Sequence, residues 1–223
     1  MPCEHELCQD CVAALPKVPL PICLYCGAPV GGEQEDPYRC SACSGRVRSF
    51  DFARSALISS EQALQLVYRL KYHHANYLAP ALGRILHSLW ENTPDLRSTD
   101  WALAPVPAGS THLFERGYNQ AEELALALGR LRGLPVISPL VRLEQGVEKS
   151  QTRLSASERW RNAQRSYSIL PAWQKGHKSL PPNIVLVDDV YTTGSTTRVC
   201  ARLLKSLPGV NKVAVLTLLR ATR

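Results

Sequence analysis

The stretch Ile184-Val185-Leu186-Val187-Asp188-Asp189-Val190-Tyr191-Thr192-Thr193-Gly194-Ser195-Thr196-Thr197 decides how this 223-residue chain is read. Its apolar opening reads as a buried strand that delivers two adjacent acids at its carboxyl end. A hydroxyl-rich loop with one glycine follows, and residues 195–207 then take helical spacing. Such a loop is built to hold an anion. Successive backbone N–H groups at a helix start bind a phosphate monoester. The hydroxyls of Thr192, Thr193, Ser195 and Thr196 add donors, and Gly194 lets the backbone approach closely. The carboxylates of Asp188 and Asp189 accept hydrogen bonds from ribose hydroxyls. Phosphate at one end and a diol at the other describe a sugar phosphate. The plainer reading is a strand, a polar turn and an N-cap. A P-loop is excluded, because no Gly-x4-Gly-Lys-Ser/Thr string occurs.

Outward from this stretch, strands and helices alternate. Residues 101–106 (WALAPV) read as a buried strand ending at Pro107, residues 134–137 as a short strand, and residues 212–219 as the last strand. Residues 60–72 place apolar side chains at 63, 64, 66, 67 and 70, with Ser60 as N-cap. A second helix is expected over 77–91. A third covers 119–132, capped by Asn119 and stopped by Gly133. Ser155 and Glu158 fit a capping box for a helix over 155–165. The alternation predicts an α/β domain with a parallel sheet.

The cysteines mark a different region. Seven of the eight precede residue 44, and six form the pairs Cys8/Cys11, Cys23/Cys26 and Cys40/Cys43. A two-residue gap points both sulfurs of a knuckle at one ion, and two knuckles complete a tetrahedral thiolate site. Cys23, Cys26, Cys40 and Cys43 are the stronger set, with Gly27 allowing the first knuckle to turn back. Disulfides are the alternative, but clustered CxxC pairs without a secretory signal favour a structural Zn²⁺. Roughly 45 residues bury too little core to fold without such help. For Cys8 and Cys11 three readings stay open: a second site with Cys3 and His5, a site completed by residues upstream of this sequence, or no metal. Cys200 reads as a small buried hydrophobe. The expected organisation is a cysteine-rich module over 1–48 and an α/β domain over 49–223, joined by a short basic linker at 44–52.

Composition narrows the class without choosing a function. With 45% hydrophobic and 20% charged residues, the chain is neither disordered nor fibrous. No apolar run approaches the roughly 18 residues of a membrane span. The opening MPCEHELCQDC lacks the basic and apolar segments of a signal peptide, so the cytoplasm is expected. A net charge of +7 permits nucleotides, diphosphates or nucleic acid as partners.

The string VDDVYTTGST resembles the 5-phosphoribosyl-1-diphosphate (PRPP) loop of type I phosphoribosyltransferases. A cysteine-knuckle start, LKYH at 70–73, PVP at 105–107, RGYNQ at 116–120, Q-x-x-L-S-x-x-x-R-x-x-N at 151–162 and VDDVYTTGST at 187–196 occur in that order. Together they resemble the ComF/GntX family, also called ComFC, over nearly the full chain. The resemblance implies a zinc-ribbon module fused to a phosphoribosyltransferase-like domain, PRPP binding with Mg²⁺, and a role in handling incoming single-stranded DNA in competent bacteria. No catalysed reaction is firmly implied.

By the same resemblance Asp188 and Asp189 hold the ribose 2′- and 3′-hydroxyls, and Thr192, Thr193, Gly194, Ser195 and Thr196 bind the 5′-phosphate. Arg116, beside Gly117, Asn119 and Gln120, faces the diphosphate; its forked, permanent charge suits an anion. Lys71 approaches the diphosphate, or serves as a helix C-terminal dipole partner. Residues 142–165, with six basic and three acidic side chains, resemble a catalytic lid whose candidates are Lys149, Gln151, Arg153, Arg159, Arg161 and Asn162. The acceptor hood would come partly from 52–90 and the cysteine module. Members of the family generally begin with one further CxxC, which this sequence lacks.

Two functions compete, beside a blander third, a structural zinc-ribbon adaptor with a vestigial transferase domain, against which the intact VDDVYTTGST loop argues. One is a phosphoribosyltransferase acting on PRPP and an unidentified acceptor. The other is a PRPP-responsive binding protein that contacts single-stranded DNA or a helicase-like partner, with Tyr68, Tyr72, Tyr77 and Trp160 near basic residues.

Overall fold

The computed structural model describes residues 7–31, 38–45, 47, 49–97, 100–143, 164–174 and 180–221. A short helix α1 (Gln9–Ala13) precedes the cysteine knuckles. The chain then runs through β1 (Phe52–Ile58), α2 (Glu61–Tyr72), α3 (Ala79–Glu91), β2 (Trp101–Pro105), α4 (Ser110–Arg116) and α5 (Gln120–Arg132). A small hairpin of β3 (Leu140–Arg142) and β4 (Tyr167–Ile169) follows, then the short α6 (Pro171–Gln174). The last unit is β5 (Asn183–Tyr191), α7 (Ser195–Lys205) and β6 (Lys212–Arg220).

Four strands form one parallel sheet in the order β1-β6-β5-β2. Residues 184–187 are fully buried, as a central parallel strand covered on both faces demands. The alternation of side chains assigns each face its own core. Val185, Val187, Ala214, Leu216 and Leu218 pack with α2, α3 and α5. Ile184, Leu186, Val213 and Val215 pack with α7, the β3–β4 hairpin and the knuckle residues Cys23, Tyr25, Cys26 and Cys43. The cysteine knuckles and the helix behind the 192–194 loop therefore share one side of the sheet.

Several expected elements are present with their caps. The Ser60 side chain accepts from the Ala63 N–H at 3.1 Å, and Asn119 accepts from Ala121 at 3.1 Å. Gly133 closes α5 in the left-handed region. Cys200 is wholly buried. Other elements differ from expectation. Residues 52–58, read as linker end and hood, form an edge strand of the main sheet, and Ser49 and Phe50 just before it are interior. The helix expected over 77–91 is a single 3₁₀ turn at Asn76–Leu78 followed by α3, because Pro80 has no N–H to donate and fits only a first turn. Residues 134–137 add only a one-residue bridge, Val136 to Leu103. Helix α4 and the hairpin were not anticipated. Of the helix expected at 155–165, all but the last two residues lie outside the described residues.

The knuckle region docks on the outer edge of β1. Ile58 N–H donates to the Pro16 carbonyl at 3.0 Å, Val18 N–H to Ala56 at 3.4 Å, and Lys17 bridges Leu57 antiparallel. This pairing covers an edge that would otherwise offer unpaired backbone groups.

Candidate functional site

Strand β5 extends three residues past Asp188, so both acids sit within its carboxyl end rather than beyond it. Asp189 points inward, 4% exposed, while Asp188 is half-buried beside the loop. The Asp189 N–H donates to the Asp188 carboxylate at 2.9 Å. Burial first, then the Asp189 carboxylate, pushes the Asp188 pKa well above the usual range, with Lys71 pulling the other way.

Lys71, at the end of α2, reaches across to Asp189, with Nζ 2.6 Å from a carboxylate oxygen. Burial alone would lower its pKa; the charges of Asp189 and then Asp188 outweigh that and raise it. Lys71 is thus the counter-ion of the acidic pair. That contact spans 118 residues of sequence and is invisible to local pattern.

The loop has the shape of an anion cradle. Gly194 takes φ +71 as the N-cap of α7. A Cβ there would run into the Tyr191 ring and hydroxyl, so only glycine fits. Thr193 and Ser195 share a hydroxyl hydrogen bond at 2.9 Å, and Thr197 Oγ1 donates back to Gly194 at 3.1 Å. The cleft is lined by Asp188 and the 190–197 segment on one side and by Arg142, Ser166 and Tyr167 of the hairpin on the other. Arg142 and Tyr167 are functional candidates that local sequence reading missed, because β3 and β4 pair across 24 residues.

Arg116 ends α4 and is only 8% exposed. One Nη donates to Gln120 Oε1 at 3.0 Å, the guanidinium lies 5.1 Å from the centroid of the Tyr72 ring, and Nε has no partner among the described residues. A buried guanidinium held by a neutral amide and a ring, with a free donor, is prepared for an incoming anion. Its charge also acts on Lys71, which puts Arg116 in the electrostatic neighbourhood of the acidic pair. Arg116, Lys71, Asp188, Asp189 and the 192–196 loop are therefore gathered at the carboxyl ends of β2 and β5, where open parallel sheets bind ligands. Lys149, Gln151, Arg153, Arg159, Arg161 and Asn162 lie outside the described residues.

The sulfurs of Cys23, Cys26, Cys40 and Cys43 lie within 4.8 Å of one another, and those of Cys26 and Cys40 are 3.7 Å apart. A tetrahedral Zn–S site with 2.3 Å bonds needs sulfurs about 3.8 Å apart. The Cys40 N–H already points at the Cys23 sulfur at 3.4 Å. Burial raises the Cys23 pKa, but N–H groups of Cys26, Cys40 and Tyr25 outweigh it and bring the thiol down to about 7. Burial and the neighbouring Cys26 push Cys40 and Cys43 up. Cys40 and Cys43 thus resist losing their protons until a dication offsets the charge, and four sulfurs at this spacing fit a structural metal ion. Gly27 closes the first knuckle at φ +69, and a Cβ there would lie 2.5 Å from the Ala53 carbonyl oxygen. Cys8 caps α1 by accepting from the Cys11 N–H at 3.3 Å, and the two gather no further ligand among the described residues.

Fold and cysteine cluster together define an α/β protein with a parallel four-stranded sheet and a four-cysteine knuckle fit for a metal ion. The chain is similar over nearly its full length to competence and DNA utilization proteins, which supports the resemblance to the ComF family. It is 29% identical over 98% of its length to Competence protein F of Haemophilus influenzae, 92% of which is covered. It is 29% identical to Competence protein ComFC of Bacillus subtilis over 98% of this chain and 85% of that one. The DNA utilization protein YhgH of Salmonella typhi is 29% identical over 89% of this chain and 83% of its own length. No family model matches the chain. No helix among the described residues is long and apolar enough to cross a membrane.

Proposed function

We propose that the protein binds PRPP at the carboxyl end of β5 and acts in DNA uptake or processing, as the names of its relatives indicate for those proteins. One observation carries the ligand: Asp188 and a hydroxyl-rich helix-start loop meet in one cleft at the carboxyl end of β5, with the Lys71–Asp189 pair next to it in the chain. The 192–196 loop takes the 5′-phosphate, and Asp188 and Asp189 take the ribose diol. Arg116 takes the diphosphate with its open Nε. Mg²⁺, carried in with PRPP, would neutralise diphosphate charge.

The same arrangement suits transfer of the phosphoribosyl group. The bond from C1′ to the diphosphate oxygen breaks, and its electron pair leaves with diphosphate. An acceptor lone pair forms the new bond to C1′, and the acceptor then sheds its proton. Arg116 would stabilise charge growing on the leaving group, and the acidic pair would face the positive charge growing on the ribose.

A second observation supports the DNA partner. Tyr68 and Tyr72 lie one turn apart on α2, both more than half exposed, with ring centroids 4.9 Å apart. His73 packs beside Tyr68, Arg116 lies over Tyr72, and Arg69 donates to the Tyr77 hydroxyl. Exposed rings interleaved with cations form a platform on which unpaired bases stack.

Isothermal titration of PRPP with Mg²⁺ tests the ligand. The wild type is expected to bind, and Asp188→Asn combined with Asp189→Asn to lose binding while retaining a cooperative melt. Equal affinity in the double variant would refute the assignment. An assay for diphosphate release then separates transferase from sensor: release on adding an acceptor makes it an enzyme, and tight binding without release makes PRPP a signal.

A further inference from the structure

Arg220 closes β6, in register with Tyr191 of β5. It is 9% exposed, and no carboxylate among the described residues pairs with it. One Nη donates to the Cys26 carbonyl at 2.6 Å, the other lies 3.5 Å from the Cys26 sulfur, and the guanidinium covers the Tyr191 ring at 4.4 Å. A buried cation is costly without a counter-charge. The counter-charge within reach is the cysteine cluster, since four thiolates around a dication carry a net charge of −2.

Tyr191 transmits that contact. It is 2% exposed, and its hydroxyl has no partner among the described residues. Its ring fills the space beneath Gly194, the residue that opens the phosphate-binding turn. The knuckle touches the same ring by a second route. Tyr25 stacks on Phe50 with centroids 4.5 Å apart, and Phe50 meets Tyr191 edge-on at 6.4 Å.

We infer that the metal knuckle and the sugar-phosphate cradle are coupled through Arg220 and Tyr191. The metal-loaded cluster holds Arg220, Arg220 holds the Tyr191 ring, and the ring sets Gly194 and the turn that receives phosphate. Arg220 is a positioning residue, reaching the cradle only through Tyr191. Linkage makes the effect reciprocal at equilibrium: metal strengthens ligand binding, and ligand strengthens metal binding by the same factor. The inference rests on reading the 188–197 stretch as a sugar-phosphate site.

The test uses the full chain loaded with zinc and ribose 5-phosphate as probe. Affinity is measured with and without zinc in the wild type, Arg220→Met and Tyr191→Leu, and zinc transfer to a chromogenic chelator is timed with and without probe. In the wild type, removing zinc should weaken the probe about tenfold, and saturating probe should slow zinc transfer. In Arg220→Met both dependences should vanish, and zinc should leave faster. Should Arg220→Met fail to fold, Tyr191→Leu keeps the Arg220–Cys26 contact and must still lose the coupling. Unchanged wild-type affinity on zinc removal, or variants with wild-type metal dependence, would overturn the inference. If zinc-loaded wild type does not bind the probe, the sugar-phosphate reading falls. The chelator rates then decide the role of Arg220: faster zinc loss in Arg220→Met sustains its hold on the cluster, and equal rates remove it.

Discussion

Gly194 and the acidic pair carry the sharpest demands at the scale of single residues. An alanine at 194 must adopt a positive φ, which costs about 1–2 kcal/mol, and must displace the Tyr191 ring, an overpacking cost of about 1–3 kcal/mol. Gly194→Ala is expected to lower stability by roughly 2–5 kcal/mol on those grounds and to abolish phosphate binding; a variant with wild-type melting and affinity would show that the turn is not held against Tyr191. The two aspartates should respond oppositely to amide substitution. Asp189→Asn strands Lys71, whose side chain is 24% exposed. The cost, discounted from a fully buried pair, is about 1–3 kcal/mol. Asp188 has a raised pKa in the fold because of burial and Asp189. Such a group favours folding while protonated and loses that contribution as pH rises from its unfolded value through its folded one. Asp188→Asn should therefore melt above the wild type at pH 8, with the gap closing toward pH 4, and should still bind PRPP poorly. A melting difference independent of pH would show that the Asp188 carboxylate is not under this strain. The motif was legible because its chemistry is local. The contacts Lys71–Asp189 and Arg220–Cys26 were not, since each joins residues more than a hundred positions apart.

At the scale of elements, the strongly patterned ones were readable and the short ones were not. Helix α5 has thirteen residues, with its cap Asn119 and its stopping Gly133 directly flanking its apolar positions. Strand β1 is the edge strand Phe52–Ile58, whose interior Arg54 and Ser55 break the apolar run that marks a buried strand. Arg54 is tolerated there because its Nη1 donates to the Leu24 and Ala53 carbonyls of the knuckle contact, and Ser55 because it hydrogen-bonds Thr217 at 2.7 Å. Its role as a strand follows from tertiary partners, which override local preference. The same docking predicts what the metal stabilises. Cys40→Ser should retain less than one zinc per chain by elemental analysis, and should expose the β1 edge to hydrogen exchange along 52–58. Loss of metal with unchanged protection there would mean that the knuckle folds on the sheet without its ion.

Across the whole molecule, two kinds of surface adjoin along α2, which carries Tyr68, Lys71 and Tyr72. The carboxyl ends of β2 and β5 hold the proposed anion site, with Lys71 on α2 paired to Asp189 and Arg116 on α4 bonded to Gln120. Beside it, α2 presents Tyr68 and Tyr72 to solvent. The net charge of +7 adds a field that draws polyanions without choosing among them. Charge attraction and base stacking predict different signatures, so the DNA reading can be divided. Affinity for single-stranded DNA should fall linearly with the logarithm of salt concentration, the slope counting phosphate contacts. Tyr72→Ala should cost about 1–3 kcal/mol of that affinity by removing a stacking surface, with the slope unchanged. Arg69→Ala should flatten the slope by about one contact instead. If both variants bind as the wild type does at every salt concentration, α2 is not the DNA platform. Attraction by net charge would then be the whole of any binding seen. If Tyr72→Ala weakens DNA and PRPP together, the platform and the cradle form one continuous site, with Arg116 as the group that both ligands share.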